Sequence, residues 1–505
     1  MALRINYNFQ AEFGHVNILK TERNLNTSLE RLETGYRINS AKDDAAGLFI
    51  ADQLNLVASA LDQGVRNSQD GISAAQIAET SLAQIYDKLV TIYTKAEQAA
   101  NDTNASLNRK ALQGDINQLI DAIDRIAKAT EFNGKKLLNG DFKNQYIHYG
   151  PRADQKLSIS IDSATAADLG AYAVKGDGQS TSDATKTLSS LITATDFEYN
   201  SASDTITVQG VDLSAAFTSG QMIDAKTLAD AINKNADLQA KGIEASATNK
   251  SVAGTAFSTV SIGTGGLTID VYVGPETTAD FTLTYASGTS LSLTQLIDDI
   301  NTKAKENNLN LVAKDEGGKL VLETEGETIA LEVTAGSGTT IDLGTLIEDA
   351  SGSVSGGNTG SAVKVGDLTV LSAESFAYDF TGVSSPTGGL GIAATGTATH
   401  ESLRANAKVD TNENAEYTMK LINAIIKKVD KMRADLGSIQ INLETIIQNN
   451  EFSAVQTREA ESRIRNVDFA KEMANFTKQQ TLMQSGMAML AQANQLPQLV
   501  LQLLR

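Results

Sequence analysis

The 505-residue sequence predicts an α+β multidomain fold, with helical coiled-coil inner domains built from both termini and β-rich outer domains inserted between them. Three observations carry the prediction. Glycine and proline are sparse in both flanks, apolar residues recur there at an average spacing of 3.5, and the acidity is concentrated in the middle.

Of 39 glycines, nine fall in residues 1–150 and two in residues 401–505, leaving 28 between them. The prolines are Pro151, Pro275, Pro386 and Pro497. Both flanks therefore almost lack the residue that most strongly interrupts a helix, and they should be helical. The middle is rich in Gly, Ser, Thr and Val, which predicts short strands and turns. The chain is also too long for one ordinary core, so several domains are expected.

Periodicity supports the helical flanks. In the C-terminal flank Ile422, Ile425, Val429, Met432, Leu436, Ile439, Leu443 and Ile446 alternate in steps of three and four. Phe469, Met473, Phe476, Gln480, Met483, Met487 and Leu490 keep the same alternation, with Gln480 the only polar member. Toward the N-terminus Leu82, Ile85, Leu89, Ile92, Ala96 and Ala99 form one seam, and Ile18, Leu25, Leu29, Leu32 and Tyr36 another. Such spacing puts the apolar side chains on one stripe, which must find a partner helix. Burying each side chain contributes about 1.5–3 kcal/mol, against about 1–2 kcal/mol for fixing each residue's backbone. A lone helix with one stripe cannot win that balance. Termini are ordinarily the least ordered part of a chain, so strong seams there point to assembly between chains. The extreme ends should order only when neighbours arrive.

The middle carries a faint repeat. Leu228 to Asn233 and Leu296 to Asn301 match at an offset of 68. Strand-like sequence precedes each (Thr205 to Val208, Phe281 to Thr284) and follows each (Gly242 to Ser246, Leu309 to Val312). Two small strand–helix–strand units are predicted. Gly352 to Gly360 reads as an exposed loop.

Composition excludes much chemistry. No cysteine is present, which removes disulfides, thiol catalysis and thiolate metal sites. The histidines His15, His148 and His400 do not form a His-Glu-x-x-His zinc motif, and no nucleophile elbow or phosphate-binding glycine loop occurs. The Asp43–Asp44 pair lacks a third ligand, so helix capping and ion pairing with Lys42 are the expected roles. No enzyme, cofactor or metal is predicted. Residues 151–400 hold 31 acidic and 13 basic residues, a net of −18, whereas the whole chain has a net charge of −19. Nucleic-acid binding needs clustered Lys and Arg and is not expected. No apolar run is long enough for membrane insertion, and the first twenty residues contain no signal-peptide core.

At the ends the residues carry a family resemblance. The run from Leu29 to Gly47, with Gly35, Arg37, Asn39, Ser40, Lys42, Asp43, Asp44 and Gly47, resembles the N-terminal signature of bacterial flagellins. Arg66 to Ser73, Glu131 to Gly134 and the closing stretch from Leu490 to Arg505 are similar to flagellin sequence too. The likeness covers roughly residues 1–145 and 405–505.

This resemblance implies a structural subunit that polymerises into the flagellar filament used for swimming. Residues 1–45 and 456–505 would form an innermost coiled coil, self-assembling through Ile18, Leu25, Leu29, Leu32, Tyr36, Phe469, Met473, Phe476, Met483, Met487 and Leu490. Residues 46–165 and 405–455 would form a second helical domain. Residues 166–404 would be an acidic, β-rich, surface-exposed insert of two subdomains. Implied partners are further flagellin copies, the cap and hook–filament junction proteins, a cytoplasmic export chaperone and the type III export apparatus. The implied location is extracellular, in the filament.

In many flagellins an Arg, a Leu and a Glu of the second helical domain are recognised by the flagellin-sensing Toll-like receptor. The equivalent positions here are Thr91, Lys95 and Asp115, and the surrounding Asn108 to Asp115 resembles epsilonproteobacterial flagellins. Weak or absent receptor activation is expected. The alternatives are a hook–filament junction protein, or a filament subunit whose insert also acts as an adhesin. Junction proteins usually lack the full Ala41-to-Gly47 run and the closing Leu490-to-Asn494 stretch found here.

Overall fold

Where glycine and proline are scarce, the chain forms long helices. The computed structural model describes residues 7–101, 103–384 and 389–503. Pro386, Leu504 and Arg505 lie outside the described residues, as do the side chains of Pro497 and Leu501. The N-terminal flank forms α1 (Phe9–Thr34), α2 (Ala45–Ala99) and α3 (Ser106–Ala129). The middle contributes α4 (Leu188–Thr195), α5 (Ala225–Lys234), α6 (Ala236–Ala240), α7 (Leu293–Glu306) and α8 (Leu403–Asn406). The C-terminal flank forms α9 (Asn412–Arg465) and α10 (Phe469–Leu503). No helix among the described residues is long and apolar enough to cross a membrane.

The chain divides into two compact units, one comprising Met1–Glu79, Phe142–Ile161 and Asp435–Arg505 and the other Thr80–Asp141 and Asp162–Ala434. In the first unit a hairpin of strands Gln145–His148 and Lys156–Ile159 leads into Tyr149, whose carbonyl accepts from Asn450 Nδ2 at 2.6 Å. Asn67 Nδ2 donates to the His148 carbonyl at 2.8 Å. Helix α2 can approach this closely because it carries glycine: a Cβ at Gly64 would stand 2.0 Å from the Tyr149 oxygen.

In the second unit the internal seams are fully enclosed. Leu82, Ile85, Leu89, Ile92, Ala96 and Ala99 of α2 are all inaccessible to solvent, as are Ile422, Ile425 and Val429 of α9. After α3 the Glu131-to-Gly134 motif makes a tight hairpin, Glu131–Phe132 pairing with Lys135–Lys136. Asn133 and Gly134 both take positive φ, 48° and 75°, as a two-residue type I′ turn requires.

The insert in this unit contributes two main antiparallel sheets. Its principal strands are β1 (Gly170–Gly176), β2 (Ser180–Asp183), β3 (Ile243–Val252), β4 (Leu267–Val273), β5 (Phe281–Tyr285) and β6 (Val312–Glu316). They continue with β7 (Lys319–Thr324), β8 (Ile329–Ala335), β9 (Thr359–Lys364), β10 (Asp367–Ser372) and β11 (Thr399–Ser402). A six-stranded sheet has the order β6-β7-β3-β10-β1-β11, and a five-stranded sheet the order β5-β4-β8-β9-β2. Each encloses apolar side chains in alternation, as in β4, where Leu267, Ile269 and Val271 are buried.

The repeat at an offset of 68 is physical. Helices α5 and α7 are capped at equivalent positions, by Asp224 and Ser292. They bury Leu228 and Ile232 in one case and Leu296 and Ile300 in the other. The second copy is nested in the first, because the chain leaves β3, builds strands β4 to β9, and returns as β10, which pairs with β3. Thr248 lies opposite Asp367 across that pair.

Two expectations in the insert need correction. The strand expected from Leu309 begins at Val312, because Asn308 adopts φ 55° and the Leu309 N–H caps α7 by bonding to the Ala304 carbonyl at 2.9 Å. Gly352 to Gly360 is not one open loop but a strand, a turn and the start of β9, whose Thr359 and Gly360 pair with Thr334 and Val333. Ser353–Ser355 pairs with Thr340–Asp342 and buries Val354, leaving the turn to Gly356 and Gly357.

Candidate assembly surface and the clasp between the chain ends

The signature residues from Gly35 to Asp44 lie in the connection from α1 to α2, and Gly47 lies in the first turn of α2. Gly35 ends α1 in the left-handed region at φ 75°, its N–H bonding to the Arg31 carbonyl at 3.0 Å. The following residues then pair with the connection from α9 to α10. Tyr36 forms a β-bridge with Asn466, Val467 N–H donates to the Gly35 carbonyl at 2.9 Å, and Arg37 N–H donates to the Arg465 carbonyl at 2.6 Å. The Arg37 guanidinium reaches the Ile464 carbonyl, also at 2.6 Å. In return the Arg465 guanidinium lies 4.6 Å from the centre of the Tyr36 ring and pairs with Asp52 at 3.7 Å and Glu461 at 3.8 Å. Two turns some 430 positions apart thus form one clasp, using backbone groups that helix ends leave unpaired.

The paired carboxylates shape the turn before α2. Asp43 Oδ2 accepts from the N–H of Ser40 at 2.9 Å, the Ser40 hydroxyl at 3.1 Å and the N–H of Asn39 at 3.2 Å. The Ser40 N–H, foremost among these donors, holds the Asp43 carboxyl below its ordinary value. Asp44 Oδ1 accepts from Gly47 N–H at 2.9 Å, which caps α2. A Cβ on Gly47 would meet Asp44 Oδ2 at 2.5 Å and Ile38 Cδ1 at 2.8 Å. Lys42 has no ion pair among the described residues, so that expectation is corrected: the carboxylates are engaged by backbone N–H groups instead. No group of three or more His, Asp or Glu side chains suited to a metal occurs among the described residues.

Helices α1 and α10 pack together, and few of their side chains are covered. Ser28 is the one buried side chain described in α1, and Glu472 the one in α10. Arg31 and Glu472 approach to 4.0 Å. Of the seam residues, Ile18, Leu25, Leu32, Phe476, Met483 and Leu490 are half-buried, whereas Leu29, Tyr36, Phe469, Met473 and Met487 are exposed. Gly14 and Gly486 allow close approach, with Leu490 and Ile18 standing 3.6 Å and 3.2 Å from where their Cβ atoms would be. An open apolar groove of about 560 Å³ remains, lined by Phe9, Phe13, Ile18, Leu482, Met489 and Leu490. Phe9 and Phe13 of α1 and Leu482 and Met489 of α10 stand outside the counted seams, as apolar side chains exposed on other sides of those helices.

Thr91 and Lys95, expected at receptor-equivalent positions, lie on α2, and Asp115 lies on α3. Lys95 Nζ pairs with Asp115 Oδ2 at 2.7 Å, and the Thr91 hydroxyl donates to the Asp87 carbonyl at 2.8 Å. Thr91 and Asp115 are exposed and Lys95 is half-buried.

Comparison with known proteins agrees with the terminal motifs. The profile of the bacterial flagellin N-terminal helical region matches residues 5–143, and that of the C-terminal helical region matches residues 419–504. The chain is 50% identical to a flagellin of Aquifex pyrophilus, with 100% of both chains covered. It is 46% identical to a flagellin of Aquifex aeolicus (strain VF5), again over 100% of both chains. Flagellin A of Helicobacter pylori (strain ATCC 700392 / 26695) is 30% identical, also with 100% of both chains covered.

Proposed function

This chain belongs to the bacterial flagellin family and is a structural, non-enzymatic subunit of the flagellar filament, and we propose that the uncovered side chains of α1 and α10 are what neighbouring subunits bury on assembly. One contrast carries the reading. Seam residues of α2 from Leu82 to Ala99 have no accessible surface, whereas Phe469, Met473 and Met487 of α10 are at least half exposed. A helix apolar on several sides is a helix to be surrounded. Subunits related by a rotation that does not close then give an open helical polymer.

In this reading residues 1–45 and 456–505 form the innermost layer, and residues 46–165 and 405–455 the second. The insert at 166–404, whose acidic surplus keeps it solvated, is exposed on the polymer. Further flagellin copies, the cap and junction proteins, an export chaperone and the type III export apparatus are the corresponding partners, and the extracellular filament the location. The Asn108-to-Asp115 region resembles epsilonproteobacterial flagellins. Weak or absent Toll-like receptor activation follows, because Lys95 and Asp115 engage each other and Thr91 offers neither a large cation nor an apolar anchor. A cell reporter responding at full potency to the purified chain would refute this part.

Electron microscopy after seeding the purified chain with ammonium sulfate tests assembly. Tubes are expected, accompanied by a gain of helix in circular dichroism. Deleting residues 470–505 should abolish polymerisation while leaving the insert folded. A dilute chain whose termini already resist hydrogen exchange would overturn the proposal.

A further inference from the structure

The chain has eight methionines, and four of them, Met473, Met483, Met487 and Met489, fall close together on α10. Their exposure separates them from methionines in the folded cores. Met473, Met487 and Met489 are 50%, 51% and 70% exposed, whereas Met222 and Met432 are 0% and 7% exposed. At about 100° per residue, Met473 and Met487 lie roughly on one side of α10 and Met489 roughly on the other. Met489 also lines the groove shared with Phe9 and Phe13 of α1. Solvent therefore reaches thioethers on two sides of the helix that, by the assembly reading above, other subunits must enclose.

We propose that Met473, Met487 and Met489 form an oxidation-sensitive assembly switch: conversion to sulfoxides by a hydroperoxide in the free subunit blocks polymerisation, and reduction restores it. The inference rests on the assembly reading. In the reaction a sulfur lone pair attacks the distal peroxide oxygen, an S–O bond forms and the O–O bond breaks. Sulfur loses two electrons, the peroxide gains them, and the remaining oxygen takes the transferred proton and leaves as the alcohol, or as water when the oxidant is hydrogen peroxide. The flexible apolar thioether becomes a polar, chiral acceptor. Pressed against the apolar Phe9, Phe13 and Leu482, that oxygen gives up its water and meets the cost of burying a polar group, which the Gln10, Asn17 and Ser485 side chains of the same groove offset only where they reach it. In the polymer the same sulfurs are covered, so the sensitive state is the subunit before incorporation.

The test uses the full-length chain, hydrogen peroxide and peptide mass mapping, with critical concentration measured by sedimentation and electron microscopy. In the free subunit Met473, Met487 and Met489 should oxidise at least about tenfold faster than Met222 and Met432, as exposure dictates. The critical concentration should rise by about tenfold or more once those three are oxidised. Methionine sulfoxide reductases of both stereochemical types, with a thiol reductant, should return it to the untreated value. Preassembled polymer should take up oxygen at these positions at least about tenfold more slowly than the free chain. An oxidised chain with an unchanged critical concentration overturns the switch, as does a loss of assembly that the reductases cannot reverse. An untreated chain that never polymerises overturns the assembly reading and the switch with it.

Discussion

Asn301 holds both backbone groups of Ala313: its amide nitrogen donates to the carbonyl at 2.9 Å, and its amide oxygen accepts from the N–H at 2.8 Å. Asn233 does the same to Ala245, at 2.8 Å and 2.9 Å. Both residue pairs are separated by 68 positions, so the two nested units join helix to strand by one device. Replacing either Asn with Ala strips two backbone groups of their partners and should cost about 1–3 kcal/mol. Asn301→Asp keeps the acceptor but sets a carboxylate oxygen against the Ala313 carbonyl oxygen, so it should cost at least as much. Hydrogen exchange at the Ala245 and Ala313 amides separates the two units, each substitution accelerating its own amide.

Burial divides the helical seams into two energetic classes. Leu89→Ala should destabilise the isolated subunit by about 2–5 kcal/mol, because its side chain is wholly enclosed. Phe469→Ala, at a 56% exposed position, should change subunit stability by about 0.5 kcal/mol or less. Its effect should appear as a raised critical concentration. Denaturant unfolding read beside sedimentation distinguishes them, and equal destabilisation by both substitutions would contradict the division.

Gly47→Ala should weaken the start of α2 by about 1–3 kcal/mol, since the added methyl group meets the Asp44 carboxylate that caps the helix and the enclosed Ile38 side chain. Faster amide exchange over residues 45–50, with exchange in the insert unaltered, is the expected readout.

The Asp43 turn should respond to acid. Its folded carboxyl titrates below the ordinary 3.8, chiefly through the Ser40 N–H. A depressed acid stabilises the fold fully above the unfolded value, and the contribution fades as pH falls through the folded one. Following the Ser40 amide signal from about pH 6 to pH 2 should therefore show a transition below the usual carboxylate range. Asp43→Asn should abolish it.

Much of this architecture was legible because helices write their burial into local spacing. The seams from Leu82 to Ala99 and from Ile422 to Val429 are enclosed where periodicity placed them. Glu131 to Gly134 stood in the sequence only as a family motif, and its Asn133–Gly134 turn emerges from the structure. What could not be read depends on distant partners. Arg37 looked like a motif letter, and nothing near it announces the Ile464 and Arg465 carbonyls it bonds. Asn233 and Asn301 stood at the ends of a visible repeat, but their grip on the next strand needs three dimensions. Leu309 has strand-like neighbours and nevertheless serves a helix cap, because Asn308 turns left-handed first. On α10 one stripe could be counted, and the apolar Leu482 and Met489 lie off it.

The excursion between Val252 and Asp367 begins and ends on neighbouring strands of one ladder, Thr248 facing Asp367 across it. A short hairpin in its place would still join the two strands, at the loss of the Tyr272, Ala330 and Val363 side chains that the excursion adds to the core around Leu228 and Ile232. Selection can therefore lengthen or trim the excursion beyond those contacts without shifting the points at which the chain leaves and rejoins the ladder.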